Sequence, residues 1–250
     1  MENIGFGIDI GGSSIKGARV NLDDGEFVDE QVRIATPKPA TPNAVAGTVA
    51  EILRQEKWDG PVGITLPSVI KDQVARSAAN IDPSWIGTNV DELFHRHLGN
   101  REISVLNDAD AAGLAEGTFG DPAASAGPVI FLTFGTGIGS AFLIDGHLFP
   151  NTELGHLLVG GKKAEHQASS AVKDREELSF KEWAERVSTV LAEYERLFSP
   201  SLFIVGGGIS GDHELWIPLL SIETPVVAAM LRNRAGVVGA AMAVATHLMP

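Results

Sequence analysis

Two glycine-rich turns hold the residues best suited to grip an oxyanion. They lie in FGIDIGGSSIKGARV (6–20) and FLTFGTGIGSAFLIDG (131–146), each between two apolar β-prone runs. Glycine lets backbone N–H groups approach an anion with no Cβ in the way, and serine or threonine adds a hydroxyl donor. The first turn offers Gly11, Gly12, Ser13 and Ser14, with Lys16 as a positive charge. The second offers Gly135, Thr136, Gly137 and Gly139, without a lysine. Neither fits a Walker loop or a dinucleotide fingerprint, because a strand-like run follows where those motifs open a helix. A single turn of this kind is commonly just a tight hairpin; the duplication points to phosphate binding. Asp9 ends the first apolar run, where a carboxylate either caps the turn or holds Mg²⁺ through water beside bound phosphates.

Proton-transfer and hydroxyl-binding candidates lie between and beyond the turns. Asn107-Asp108 directly follows a buried-looking strand, a place where α/β proteins gather ligand groups. Asp108 there either caps the next helix, or orients a substrate hydroxyl and accepts its proton, as an aspartate does in kinases. In ELGH (153–156), Glu153 and His156 share a face if the turn is helical, and Glu165 in KKAEHQAS is a third candidate. Carboxylate, amide and imidazole are common partners of sugar hydroxyls, although each of these residues alone could be ordinary surface. His95 and His97 of the HRH segment read as solvent-facing, not as metal ligands.

The positioning elements follow from pattern. Strands are expected near 4–10, 15–21, 26–35, 61–67, 102–107 and 201–210. Thr41 and Pro42 give a helix start of cap then first-turn proline, and Val45, Val49, Ile52 and Leu53 supply its apolar face. A short helix is expected near 91–98, another from Asp108, and GDPAASAGP (120–128) reads as an exposed loop. Ser179 and Glu182 have capping-box spacing, before Trp183, Val187, Val190, Leu191, Tyr194, Leu197 and Phe198 at steps of three and four. RAGVVGAAMAVATHL (234–248) closes the chain as a small-residue helix. Strands alternating with helices in both halves indicate an α/β fold with mixed sheets.

Composition bounds the partners. The chain has 250 residues, no cysteine, and a formal charge of −13, which disfavours nucleic acid and anionic membranes but not a phosphorylated small molecule. No signal peptide or membrane span is visible, so a cytoplasmic location is expected.

DIGGSSIKG, LNDADAA, LTFGTGIGSA, ELGH and VGGGIS, in that order, resemble the motifs of the ROK sugar kinases of the actin-like ATPase superfamily. TPKPATP, SAANIDPSWIGTN, KKAEHQAS, ELSFKEWAERV and LFSPSLFIVGGGIS are most similar to the family's polyphosphate-using glucokinases and glucomannokinases. The resemblance implies an actin-like ATPase (ribonuclease H-like) α/β fold, with two mixed-sheet lobes around a central cleft. The N-terminal lobe would be 1–107 and the C-terminal lobe 108–234, with helix 235–250 packing on the first.

It also implies a glucokinase that moves the terminal phosphoryl group of inorganic polyphosphate, ATP or both to the 6-hydroxyl of glucose, some relatives accepting mannose. On that basis Asp108 is the general base, and Asn80, Asn107, Glu153, His156 and Glu165 bind sugar. Gly11, Gly12, Ser13, Lys16, Thr136 and Gly137 hold donor phosphates, and Asp9 positions Mg²⁺. Gly206, Gly207 and Gly208 match the segment that receives adenosine. Most of the family carry a CxCGxxGC zinc motif after ELGH; LLVGGKKAEHQAS has none, so no zinc is expected. Gly211 and Asp212 follow GGGIS where the polyphosphate branch commonly has a lysine, and SIE (221–223) stands where that branch is usually basic. Lys38, Lys71, Arg76, Arg232 and Arg234 remain as phosphate contacts, and related kinases are often homodimers.

The alternatives are an ATP-only ROK hexose kinase and a non-catalytic sugar-binding regulator. Family regulators carry an N-terminal helix-turn-helix, so with DIGG beginning at residue 9 a regulator is the less expected reading.

Overall fold

A computed structural model describes residues 3–79 and 81–248. Asn80, a sugar-binding candidate, lies outside them. The chain divides into two compact units, Met1–Ala115 with Arg234–Pro250, and Glu116–Asn233.

The first unit opens with β1 (Ile4–Ile10), β2 (Ser14–Asn21) and β3 (Val32–Ala35). The run 26–35 pairs regularly only over its last four residues; before them a single bridge joins Phe27 to Val20. Helix α1 (Pro42–Gln55) starts at Thr41 with proline in its first turn, although the Thr41 side chain makes no capping bond. It buries Val45, Val49, Ile52 and Leu53, as its apolar spacing predicts. Next come β4 (Val62–Leu66), the short pair β5 (Ile70–Lys71) and β6 (Val74–Ala75), α2 (Val90–Leu98) and β7 (Ile103–Asn107). Helix α3 (Asp108–Phe119) follows with no intervening loop. The sheet order is β3-β2-β1-β4-β7: three antiparallel strands, then β4 and β7 parallel to β1. His95 is half-buried and not simply solvent-facing, its Nδ1 2.9 Å from the Asp91 carbonyl.

The second unit repeats the plan. β8 (Pro128–Phe134), β9 (Ile138–Ile144) and β10 (His147–Phe149) are antiparallel. The pair β11 (Leu158–Val159) and β12 (Lys162–Lys163) precedes α4 (Glu165–Ala168), α5 (Ser170–Arg175) and α6 (Phe180–Phe198). β13 (Leu202–Gly206) and β14 (Val226–Ala228) then run parallel to β8, in the order β10-β9-β8-β13-β14. Ser179 and Glu182 close the capping box at the start of α6, and Trp183, Val187, Leu191 and Tyr194 face the core. The loop 120–128 is not wholly exposed: Asp121 caps a short 3₁₀ turn, Pro122–Ser125, whose Ala124 is buried.

Helix α7 (Ala235–Ala245) returns to the first unit. Apolar nearly all round, it belongs in a core. It lies directly on the sheet because glycines face it. A Cβ on Gly7 would sit 1.9 Å from the Val237 carbonyl oxygen, and one on Gly63 would sit 1.7 Å from that of Ala240.

Candidate functional site

In the first unit, strand register converges on Asp9. Lys16 pairs opposite it on β2 and Thr65 beside it on β4. Lys16 Nζ lies 3.2 Å from Asp9 Oδ2, and Thr65 Oγ1 donates to Oδ1 at 2.9 Å. Thr65 is fully buried, so its hydroxyl has a fixed partner. A Cβ on Gly236 would come within 3.2 Å of the Asp9 carboxyl carbon, so the start of α7 closes over the group. The adjoining turn is held by Gly11 N–H to the Ser14 carbonyl at 3.0 Å and by Thr36 Oγ1 to the Gly11 carbonyl at 2.6 Å. Gly12 and Ser13 at its tip are exposed.

Asn107 and Asp108 sit where β7 becomes α3. Asn107, not Asp108, caps the helix: its Oδ1 accepts from the N–H groups of Ala109 (2.8 Å) and Asp110 (3.2 Å). Its Nδ2 donates to the Ser68 carbonyl at 3.2 Å and has one further hydrogen for a ligand. Asp108, at the first helical position, is exposed and its Oδ1 also accepts from Ala109 N–H, at 2.9 Å.

In the second unit, three predicted residues meet. Glu153 precedes and His156 ends a 3₁₀ turn, Leu154–His156, so the two stand three positions apart across it. His156 Nδ1 is 3.7 Å from Glu153 Oε2, and its Nε2 is 3.4 Å from Glu165 Oε1. Lys163 Nζ (3.9 Å) and His166 Nε2 (3.7 Å) approach the same Glu165 oxygen. The other Glu165 oxygen, Oε2, lies against the second glycine turn, 2.5 Å from where a Gly137 Cβ would stand. Burial raises the Glu153 pKa; His156 and Lys163 oppose the shift and Glu165 adds to it. Inside the turn, Gly155 packs so closely that a Cβ would lie 2.1 Å from the Ile138 carbonyl oxygen.

The second hairpin is clamped from α5: Ala171 N–H (3.1 Å) and Ser170 Oγ (3.0 Å) both donate to the Gly135 carbonyl. Thr136, at its tip, is exposed. Gly207 abuts the same hairpin. At φ +87° and with its Cβ position 2.3 Å from the Phe134 carbonyl oxygen, it must be glycine. Gly206 packs on Phe131, whereas Gly208 faces open space.

Sequence reading missed Thr65 and Tyr194, whose bonds span distant parts of the chain, and it passed over Lys163 and His166 although both flank Glu165. Of the cations proposed for phosphate, Arg76 lies 3.8 Å from Asp72, and Arg234 pairs with Glu26.

No group of three or more His, Cys, Asp or Glu side chains could hold a metal ion among the described residues. Asp9 offers one carboxylate, already shared with Lys16 and Thr65. That donor set fits a cation held chiefly by phosphate oxygens and water, with Asp9 as the protein's contribution. No helix among the described residues is long and apolar enough to cross a membrane.

Comparison with known proteins follows the same lines. The model of the ROK family matches residues 5–175. A polyphosphate glucokinase of Mycobacterium leprae (strain TN) is 54% identical over 239 residues, covering 96% of this chain and 74% of the relative. One from Mycobacterium tuberculosis (strain CDC 1551 / Oshkosh) is 53% identical, covering 96% and 90%. The solved inorganic polyphosphate/ATP-glucomannokinase of Arthrobacter sp. strain KM superposes with a TM-score of 0.90 at 47% identity, covering 98% of this chain and 99% of that one. A ROK family glucokinase from Streptomyces griseus, solved with glucose and AMPPNP, gives 0.80 at 26% identity, covering 96% and 98%. The two α/β units thus have the actin-like ATPase fold of these sugar kinases.

Proposed function

Starting from the fact that the chain belongs to the ROK family, we propose that it is a glucokinase using inorganic polyphosphate, ATP or both. The carrying observation is the placement of Glu165, with one oxygen against the phosphate-type turn at Gly137 and the other grouped with His156. A hydroxyl-binding set next to an oxyanion-binding turn is what phosphoryl transfer to a sugar requires. The relatives described above carry names of the same activity.

In this reading the glucose 6-hydroxyl oxygen bonds to the terminal phosphorus of the donor while the bridging P–O bond breaks. The hydroxyl proton passes to the Asp108 carboxylate, and the donor leaves as ADP or as polyphosphate one phosphoryl shorter. In a loose transition state the hydroxyl proton is lost late, so a carboxylate is base enough to accept it. Glu153, His156, Glu165 and Asn107 hold the sugar hydroxyls; Asn80 belongs to the same proposal. The first turn, closed by the Gly11 N–H, presents Gly12, Ser13 and Lys16 to phosphate oxygens, and Thr136 and Gly137 do the same from the second turn. Asp9 would hold Mg²⁺ through water, and the ion would supply charge neutralisation on the donor phosphates.

Gly208 faces open space beside the second hairpin, which favours room for an adenosine and so supports ATP as a donor next to polyphosphate. Mannose acceptance and a homodimer belong to the same proposal. For the dimer, Phe149 is exposed on β10, the edge strand of the second sheet, and Ile144 on the neighbouring β9. A cytoplasmic location is part of the same proposal, and the phosphoryl donors it invokes support it.

The test is a coupled assay of initial rates with hexametaphosphate and with ATP, at matched phosphoryl concentration. Asp108→Asn is expected to abolish turnover nearly completely while glucose affinity stays within a few-fold. Comparable activity in that variant overturns the assignment of the base, and failure of both donors overturns the function.

A further inference from the structure

On the first unit, away from the residues proposed for the chemistry, lies an open depression of about 400 Å³ between the ends of α1 and α2. Leu53 and Leu98 form its apolar part, Trp58 an aromatic wall, and Arg54, Lys57 and Arg101 its cations. His97 also lines it, and Asp59 is its one carboxylate. In a chain of net charge −13, such a concentration of cations is a local reversal of sign. The long-range field of the protein does little to cancel it, since exposed charges beyond about 8 Å are screened at physiological salt.

Local bonding leaves these groups able to meet a ligand. Arg54, itself exposed, pairs with the partly exposed Glu51 on its own helix. Arg101 uses Nε on the Leu98 carbonyl (3.0 Å) and Nη1 on the Trp58 carbonyl (3.0 Å), and its remaining guanidinium N–H groups are still donors. Those bonds matter for another reason. Helix C-termini present carbonyl oxygens that repel anions, and here both ends are covered. Arg101 covers that of α2. At α1 the N–H groups of Lys57 and Trp58 bond the Arg54 and Leu53 carbonyls (3.2 and 2.9 Å), a Schellman closure. The Trp58 indole N–H is already bonded to the Pro61 carbonyl at 2.9 Å, so the ring itself is what Trp58 offers.

Position separates this depression from the proposed chemistry. Trp58, Pro61 and Arg101 precede the first residues of β4 and β7, whereas Thr65, Asn107 and Asp108 stand at their far ends. Four strand steps are roughly 13 Å.

We propose that this depression is an accessory site for a phosphate ester carrying a ring. The phosphoryl group lies among Arg54, Lys57 and Arg101, and the ring lies against Trp58. A sugar phosphate and a nucleoside monophosphate share this chemistry, so both are needed as probes.

Binding is read without turnover, so its failure is separate from failure of the kinase proposal. Trp85, Trp183 and Trp216 are fully buried, so Trp58 is the one tryptophan whose ring borders solvent among the described residues. Its indole N–H resonance, assigned through Trp58→Phe, is followed by NMR. Glucose 6-phosphate and AMP are the two probes; tripolyphosphate and sodium sulfate at equal ionic strength are the controls. The expected result is a saturable shift of the Trp58 resonance with at least one ester. The tighter ester identifies the source. Arg54→Gln with Lys57→Gly should weaken that binding at least tenfold. Lys57 has φ +50°, which glycine adopts freely, so this change removes the ammonium while keeping the cap. Arg54→Gln alone, on the exposed side of α1, gives a second reading of the same charge. An unchanged affinity in both variants, or an equal shift with sulfate, overturns the site. Tripolyphosphate binding as tightly as the esters overturns the role of Trp58.

Discussion

The Tyr194 hydroxyl donates to the Leu154 carbonyl at 2.7 Å, fixing the turn between Glu153 and His156 from the middle of α6. Tyr194 is fully buried, and burial pushes its phenol well above the usual range, so the donor stays protonated throughout physiological pH. Ser140 holds the other side of the turn, donating to the Thr152 carbonyl (2.7 Å) and accepting from Leu154 N–H (2.9 Å). Tyr194→Phe strips one donor from that frame, at a cost of about 1–3 kcal/mol. The expected kinetic signature is a glucose KM raised several-fold with kcat changed less, because the variant loosens acceptor contacts and leaves Asp108 untouched. Steady-state kinetics with a parallel urea denaturation curve check both parts.

Gly137→Ala separates function from folding. The new Cβ would stand 2.5 Å from Glu165 Oε2, the far end of a flexible side chain, so the carboxylate swings aside and stability changes by less than about 1 kcal/mol. Glu165 then no longer sits between the turn and His156. Glucose affinity, measured by calorimetry, should fall at least tenfold while the denaturation midpoint stays near that of the unmodified protein.

Features written in local spacing were legible in the sequence. Ser179 and Glu182 specify the start of α6 by themselves, and the two glycine turns are hairpins because each turn and both its strands are contiguous. Glu153 and His156 were legible as a pair because they stand three positions apart on one turn. What joins Glu165 to that pair was not legible, since it depends on where α4 starts relative to the turn. Thr65 meets Asp9 only through the β1–β4 register, and Tyr194 meets Leu154 only through the packing of α6. Both look like ordinary core residues until the fold supplies a partner. Helix capping by Asn107 in place of Asp108 was likewise decided by side-chain direction, which spacing alone does not fix.

Glu153 predicts a pH signature with a definite sign. Burial raises its carboxyl pKa above the ordinary 4.5, so the folded state keeps this proton to higher pH than the unfolded chain does. Stability from this group therefore falls as pH rises from the unfolded value to the folded one, and stays at its lower level above both. Glu153→Gln removes that slope; because the side chain is 40% exposed, the gain is small. Glucose binding that relies on the carboxylate as acceptor should weaken on acidification at a pH above the usual glutamate range. In Glu165→Gln the weaker residual binding should lose its acid limb at lower pH, since the neighbouring negative charge is gone. Calorimetric titrations across about pH 4–7 measure both limbs.

Gly63→Ala addresses the seat of α7. Its Cβ would lie 1.7 Å from the Ala240 carbonyl oxygen, which is backbone and cannot rotate away. Either α7 or β4 must shift, and α7 also carries Gly236 against Asp9. The expected loss is roughly 3 kcal/mol or more. Ala substitution at Gly208, which faces open space, should cost well under that. Thermal denaturation of the two variants side by side tests the contrast.

Thr65→Val tests whether Asp9 serves the cation. The substitution keeps the shape of a fully buried side chain but takes the hydrogen bond from Asp9 Oδ1, leaving the carboxylate its ion pair with Lys16. A carboxylate tied by Lys16 alone swings toward the ammonium and away from the direction that Thr65 enforces. The Mg²⁺ concentration for half-maximal rate should rise several-fold, with the glucose KM unchanged, and Thr65→Ser should restore it. Manganese binding in the presence of AMPPNP, followed by electron paramagnetic resonance, should weaken in parallel, which a general loss of stability would not produce selectively. An unaltered metal dependence in Thr65→Val, with Asp9→Asn also unaffected, would remove Asp9 from metal positioning and leave it as the partner that orients Lys16.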